Sequence, residues 1–170
     1  MSRAFVKDDA AGGELRFTSR PPLPEGQPNY VTARGLALLE AERQQYLANI
    51  EQLDGTPDSE TEVAEERLSL QELELRIAEA VLVELPERTE DSEARIGHVL
   101  SVEFGPGDAD TIVITGVDEA DPANGYVSFG SPLAEALLGK RAGETGTYRV
   151  GNEPRTVKLL SVQLPPAVVS

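Results

Sequence analysis

Residues Asp118 to Gly146 read DEADPANGYVSFGSPLAEALLGKRAGETG, and this stretch decides the fold. Gly125 closes an Asn-Gly turn, and Tyr126 to Phe129 alternate as a strand does. Ser131 is a good N-cap, and Pro132 takes the first helical position, where its missing N–H costs nothing. Leu133, Ala134, Leu137 and Leu138 form one apolar face over a helix Pro132 to Leu138. Gly139 stops that helix, and Lys140 and Arg141 sit at the negative end of its dipole.

Downstream and upstream of this stretch the pattern is that of strands. Ile96 to Phe104, Thr111 to Val117, Thr145 to Val150 and Arg155 to Leu164 join Tyr126 to Phe129, with hairpin turns at Gly105-Pro106-Gly107-Asp108 and Gly151-Asn152-Glu153-Pro154. An antiparallel sheet with one packed helix predicts an α+β domain over 95–164, followed by a tail, 165–170. A polar linker, 86–94, marks its upstream boundary.

The segment 30–85 has a different period. Leu36, Leu39, Arg43, Tyr46, Ile50 and Leu53 follow a three-four spacing after an N-cap at Thr32, and the helix ends near Asp54-Gly55. Arg43 interrupts the seam and snorkels out of it. Val63, Glu66, Leu70, Leu73, Ile77 and Ala80 give the matching seam on a second helix. That helix starts either with Thr56 as cap and Pro57 at the first position, or with a Ser59/Glu62 capping box. So short a connection makes the helices antiparallel, a coiled-coil hairpin with Asp54 to Glu62 at its tip. Leu68, Leu75 and Leu82 lie on another face; Leu82 is expected to pack at the hairpin base, while Leu68 is either part of a broad seam or a surface for another chain. Residues 1–29, rich in Gly, Pro and charge, read as a flexible arm, with Phe5, Val6, Leu15 and Phe17 free to dock.

Composition narrows the function. With 30 acidic against 15 basic residues the formal charge is −15, which repels nucleic acid phosphates and favours a protein partner with a basic groove. There is no Cys and one His, which leaves no disulfide, thiolate or His-based metal site. Aromatics at 5% and no Trp argue against a base-stacking surface. No apolar run reaches membrane-span length and the start lacks a signal core, so a cytoplasmic protein is expected. His98 has no nucleophile beside it, and Ser128 and Ser131 have no His partner, so a serine triad is not expected.

The runs Asp118-Glu119-Ala120-Asp121, Ser131-Pro132-Leu133-Ala134 and Leu137-Leu138-Gly139-Lys140 with Gly143, in that order and spacing, resemble the C-terminal domain of the GreA/GreB transcript-cleavage factors. The resemblance extends from about Asn29 to Leu164 and implies an FKBP-like shape for the globular domain. It also implies binding to RNA polymerase, with the hairpin in the secondary channel and the globular domain on the rim; a monomer is favoured, the oligomeric state being open. Ser131, Pro132 and Leu133 match the family's rim-contacting loop, and Asp118, Glu119 and Asp121 are either a rim-facing acidic patch or a solvated loop. In the family two tip carboxylates share a Mg²⁺ ion with the polymerase and position a water that cleaves backtracked RNA. This chain has no cofactor of its own by that reading. Its tip offers Asp54, Asp58, Glu60 and Glu62, but Thr56 and Ser59 stand where the family's acids fall. Asp58 and Glu62 share a helix face as a metal pair, or the acids only offset the helix dipole; both readings stand. Both arms are also shorter than the family's, by a heptad or more, which at ~1.5 Å per residue withdraws the tip by roughly 10 Å. The expected role is regulation of elongation by occupancy, with cleavage stimulation left open. The rival readings are a Rnk-like polymerase regulator, an FKBP-like prolyl isomerase and a coiled-coil adaptor.

Overall fold

A computed structural model describes residues 17–87 and 92–166. Phe5, Val6 and Leu15, most of the linker's charged centre and the last four residues lie outside the described residues. The chain begins with strand β1, Asn29–Val31, then helix α1, Ala33–Leu53, helix α2, Glu60–Ala78, and strand β2, Ala80–Leu82. Strands β3, Val99–Glu103, and β4, Ala109–Thr115, follow, then a 3₁₀ turn, Pro122–Asn124, and β5, Tyr126–Ser128. Helix α3, Pro132–Leu137, and strands β6, Thr145–Val150, and β7, Glu153–Gln163, complete it.

The hairpin forms as its seam demands. Thr32 caps α1, its hydroxyl accepting from Gly35 N–H at 3.0 Å. Leu39, Leu73 and Val31 are its buried centre, flanked by Leu36, Tyr46, Ile77 and Ala80. Both polar seam members find cross-helix partners: Arg43 Nε donates to Glu74 at 3.3 Å, and Asn49 Nδ2 to Glu66 at 3.2 Å. At 21 residues, α1 is about 32 Å long. The base is closed by a parallel β1–β2 pair, with Tyr30 opposite Val81, which periodicity did not reveal. Leu68, Leu75 and Leu82 all remain exposed, so Leu82 does not pack at the base as expected.

The second unit is a five-stranded sheet in the order β5-β4-β3-β7-β6, with α3 on it. Strand pairing is antiparallel except that β5 runs parallel to β4. The chain from Gly116 to Gly125, ending in the 3₁₀ turn with Gly125 at φ +83°, carries it back to start β5 at the same end as β4. Strand β3 is shorter than its apolar run, because Gly97 at φ +97° puts Ile96 to His98 in a turn. Leu100, Val102, Ile112, Ile114, Val157 and Leu159 of the sheet meet Ala134 and Leu137 of α3 in one core. Gly146 lets α3 approach β6: a Cβ there would lie 2.2 Å from the Ala136 carbonyl oxygen. The fold class is thus α+β, a helical hairpin plus a sheet domain with one short helix.

The arm is not loose where it is described. Ser19 Oγ donates to Glu72 at 2.8 Å, Arg20 N–H reaches the same carboxylate, and Pro21 O accepts from Arg76 Nη2. Ser19 to Pro21 are thus held to α2 by these bonds, where a flexible arm was expected.

Candidate functional site

The hairpin tip is built by hydroxyls. Thr56 Oγ1 and Ser59 Oγ both donate to the Leu53 carbonyl, and Ser59 also to that of Thr56 at 2.8 Å, so the turn satisfies the carbonyls left open at the end of α1. Helix α2 starts with Ser59 at the N-cap position, not with Thr56, but the Ser59/Glu62 capping box does not form. Pro57 and Asp58 are turn residues, and Ser59, though it precedes Glu60, makes no side-chain cap bond to Glu62 or its neighbours. Its hydroxyl points back to α1 instead. Gly55 at φ +78° and Asp58 at φ +64° carry the sharp bend; Asp58 is a non-glycine residue held left-handed there.

This leaves Asp54, Asp58, Glu60 and Glu62 on the exposed turn, with no hydrogen bond or ion pair to their carboxylates among the described residues. Glu60 and Glu62 lie in the first turn of α2, where negative charge offsets the dipole. No group of three or more acids or His able to hold a metal comes together among the described residues. A Mg²⁺ ion held by Asp58 and Glu62 would need its other ligands from a partner. An open groove of about 760 Å³ runs from Asp58 along α2 past Val63 and Arg67 to Leu68 and Gln71.

The loop before α3 forms as expected. Ser131 Oγ accepts from Ala134 N–H at 3.2 Å, Pro132 is exposed, and Leu133 is half-buried against the core. Capping and a surface role are compatible here, because Pro132 takes no part in the core. Asp121 is also exposed and shapes its own turn, accepting from Asn124 Nδ2 at 2.6 Å and bridging to Tyr126.

Asp118 and Glu119 behave otherwise. Their side chains are 4% and 3% exposed, so they form neither a rim-facing patch nor a solvated loop. Asp118 accepts from Arg20 Nε at 2.8 Å and faces Arg76 Nη1 at 3.6 Å. Glu119 accepts from Thr32 Oγ1 and, at 2.9 Å, from Arg34, whose guanidinium lies 3.9 Å from the centre of the Tyr126 ring. Both carboxylates are turned inward and join the hairpin to the sheet, so Asp118 and Glu119, expected as polymerase contacts, do not present their charge at the surface. The sequence reading missed their partners Arg20, Arg34 and Arg76; a cue existed in Arg76, which stands between seam residues Leu73 and Ile77.

His98 is fully buried, and its Nδ1 accepts from Arg95 N–H at 3.1 Å, which fits a structural role. Burial, aided by the Arg95 charge, holds its imidazole below the ordinary value. The folded state therefore binds its proton less readily than the unfolded one. Its contribution is complete above about pH 6.5 and is lost as pH falls below that, with a slope of at most about 1.4 kcal/mol per unit. Urea titrations at pH 7.5, 6.5 and 5.5 are expected to show this loss in the native chain and a flatter profile in His98→Gln. Equal slopes would remove His98 as the cause.

Residues 89–164 match the family model described as the C-terminal domain of transcription elongation factor GreA/GreB. GreA of Geobacillus kaustophilus is 34% identical over 94 residues, an alignment covering 55% of this chain and 60% of that protein, so the chain spans under two thirds of that relative's length. GreA of Chloroflexus aurantiacus is 32% identical over 155 residues, covering 81% of this chain and 98% of the relative. GreA of Mesoplasma florum is 33% identical, with 74% and 78% covered. Among solved structures, Gfh1 of Thermus thermophilus, a GreA factor homolog, aligns over 81% of this chain and 99% of its own at 17% identity and a TM-score of 0.38, a likeness too loose to argue from. No helix among the described residues is long and apolar enough to cross a membrane. With alignment along nearly the whole of a GreA relative and a domain-level match over the sheet, this chain belongs to the GreA/GreB family of transcription elongation factors.

Proposed function

We propose that this chain regulates RNA polymerase by occupancy: the hairpin enters the secondary channel with its tip toward the active site, and Ser131-Pro132-Leu133 seats the globular domain on the rim. It is not an enzyme by itself. Family membership supports the partner, and the shape fits it, a helical finger about 32 Å long ending in four exposed carboxylates. The observation that carries occupancy over cleavage is at the tip. Thr56 and Ser59 stand where the family resemblance calls for acids, and both spend their hydroxyls on the Leu53 carbonyl. The acids that remain act as negative charge brought near a cationic centre, not as a ligand set the chain assembles.

Halted, backtracked polymerase complexes test this. Adding the protein is expected to slow resumed elongation without shortening the RNA. Shortened RNA would show a competent tip and overturn occupancy, and failure to associate with polymerase would overturn the whole reading. Pro132→Glu, which puts charge on the exposed loop without touching the core, is expected to weaken association on the order of tenfold, about 1.4 kcal/mol. Unchanged binding would displace the docking surface from this loop.

A further inference from the structure

We infer that residues 19–24 form a strap and that Arg20 is a positioning residue, fixing the direction in which the hairpin leaves the sheet. The inference rests on the proposed function only for its consequence, where the tip lands when Ser131-Pro132-Leu133 is seated. Arg20 meets three elements at once. Its Nη1 and Nη2 fork onto Glu42 of α1 at 2.8 and 3.0 Å, its Nε donates to Asp118 of the sheet domain at 2.8 Å, and its backbone N–H reaches Glu72 of α2 at 3.1 Å. Planar fork geometry makes such contacts directional, and a lysine ammonium cannot reproduce them. Further along, Pro24 closes on Gly130, where a Cβ would lie 2.6 Å from Pro24 Cγ, immediately before Ser131. Pro21, Pro22 and Pro24 fix φ along the strap, so little backbone freedom remains between its two ends.

The leverage comes from spacing along α1. Glu119 ties the sheet to Thr32 and Arg34 in the first turn of the helix. The Arg76–Asp118 pair and the Tyr30–Phe129 contact also join the two units, and both involve residues near the hairpin base. Glu42 lies ten residues beyond Thr32, about 15 Å along the axis, so an attachment there acts on a longer lever against tilting of the hairpin.

The absence of Cys allows two spin labels to be placed cleanly, at Glu60→Cys by the tip and at Glu135→Cys, an exposed position on α3. Pulsed dipolar spectroscopy on the isolated full chain is expected to give one narrow distance. Arg20→Ala should at least double its width, Arg20→Lys should widen it less, and Gly130→Ala should widen it with no charge altered. Far-ultraviolet helicity should stay unchanged. A distribution equally narrow in Arg20→Ala would overturn the inference, as would a loss of helix that accounts for any broadening. No polymerase is involved, so failure of the binding experiment leaves this result standing, and the reverse holds too.

Discussion

Replacing Asp118 by alanine is expected to lower the unfolding free energy by about 3–5 kcal/mol, the usual cost of removing one partner from a buried ion pair. The carboxylate stands between two guanidiniums, Arg20 and Arg76, whose side chains are 14% and 10% exposed. Arg20 would keep Glu42. Among the described residues Arg76 would keep only the Pro21 carbonyl as acceptor for its guanidinium, since its Nη1 makes no hydrogen bond even now. The loss is therefore mainly that of a buried cation left without its counter-charge, and little added salt would restore, because burial limits screening. Asp118→Asn keeps the shape and an acceptor oxygen and should cost less. Asp121→Ala, three residues on, is the control: its carboxylate is exposed and its removal should stay near 0.5 kcal/mol. Urea unfolding followed by circular dichroism compares the three. Equal costs at Asp118 and Asp121 would mean that the acidic loop is solvated after all.

The same acidic loop shows where a linear reading stops. The run Asp118-Glu119-Ala120-Asp121 looks uniform in sequence, yet two of its acids are buried and one is exposed. What separates them is their partners, Arg20 lying 98 positions from Asp118 and Arg34 lying 85 from Glu119, and nothing in the local pattern announces partners so distant. The hairpin was legible for the opposite reason. Its seam residues stand three and four apart, so the information needed to pair α1 with α2 lies within each helix. Ser131 and Pro132 were legible in the same way, because an N-cap and a first-turn proline act within three residues. The tip turn fell between these cases. Its Ser and Thr read as side-chain caps of α2, but their hydroxyls had two sets of backbone partners within reach, and the carbonyls ending α1 took them in preference to the amides starting α2. β1 and β2, at three residues each, are too short for alternation to mark, and a parallel pair has no turn sequence to betray it.

Gly116→Ala is expected to cost about 3 kcal/mol, at the upper end for overpacking, because the obstacle is backbone. A Cβ at Gly116 would lie 2.3 Å from the Tyr30 carbonyl oxygen and 3.6 Å from Val31 Cα. A side chain could rotate away from such a contact; a peptide group cannot. β1 would have to retreat from the end of β4, and its position is fixed on several sides. Tyr30 packs edge-on to Phe129 with ring centres 5.6 Å apart, Val31 is buried in the hairpin core, and Asn29 Nδ2 donates to the Arg76 carbonyl at 2.9 Å. The displacement should therefore be felt where hairpin and sheet meet, as faster amide exchange across β1 and β2, while the α3–β6 contact at Gly146 stays protected. Gly105→Ala supplies the reference. Its Cβ would meet nothing within 4 Å, so the change should be neutral or gain a few tenths of a kcal/mol from a stiffer unfolded chain. If Gly116→Ala proved as harmless as Gly105→Ala, the close approach of β1 to β4 would not exist in solution, and the hairpin would lack the backbone contact that brings its base against the sheet.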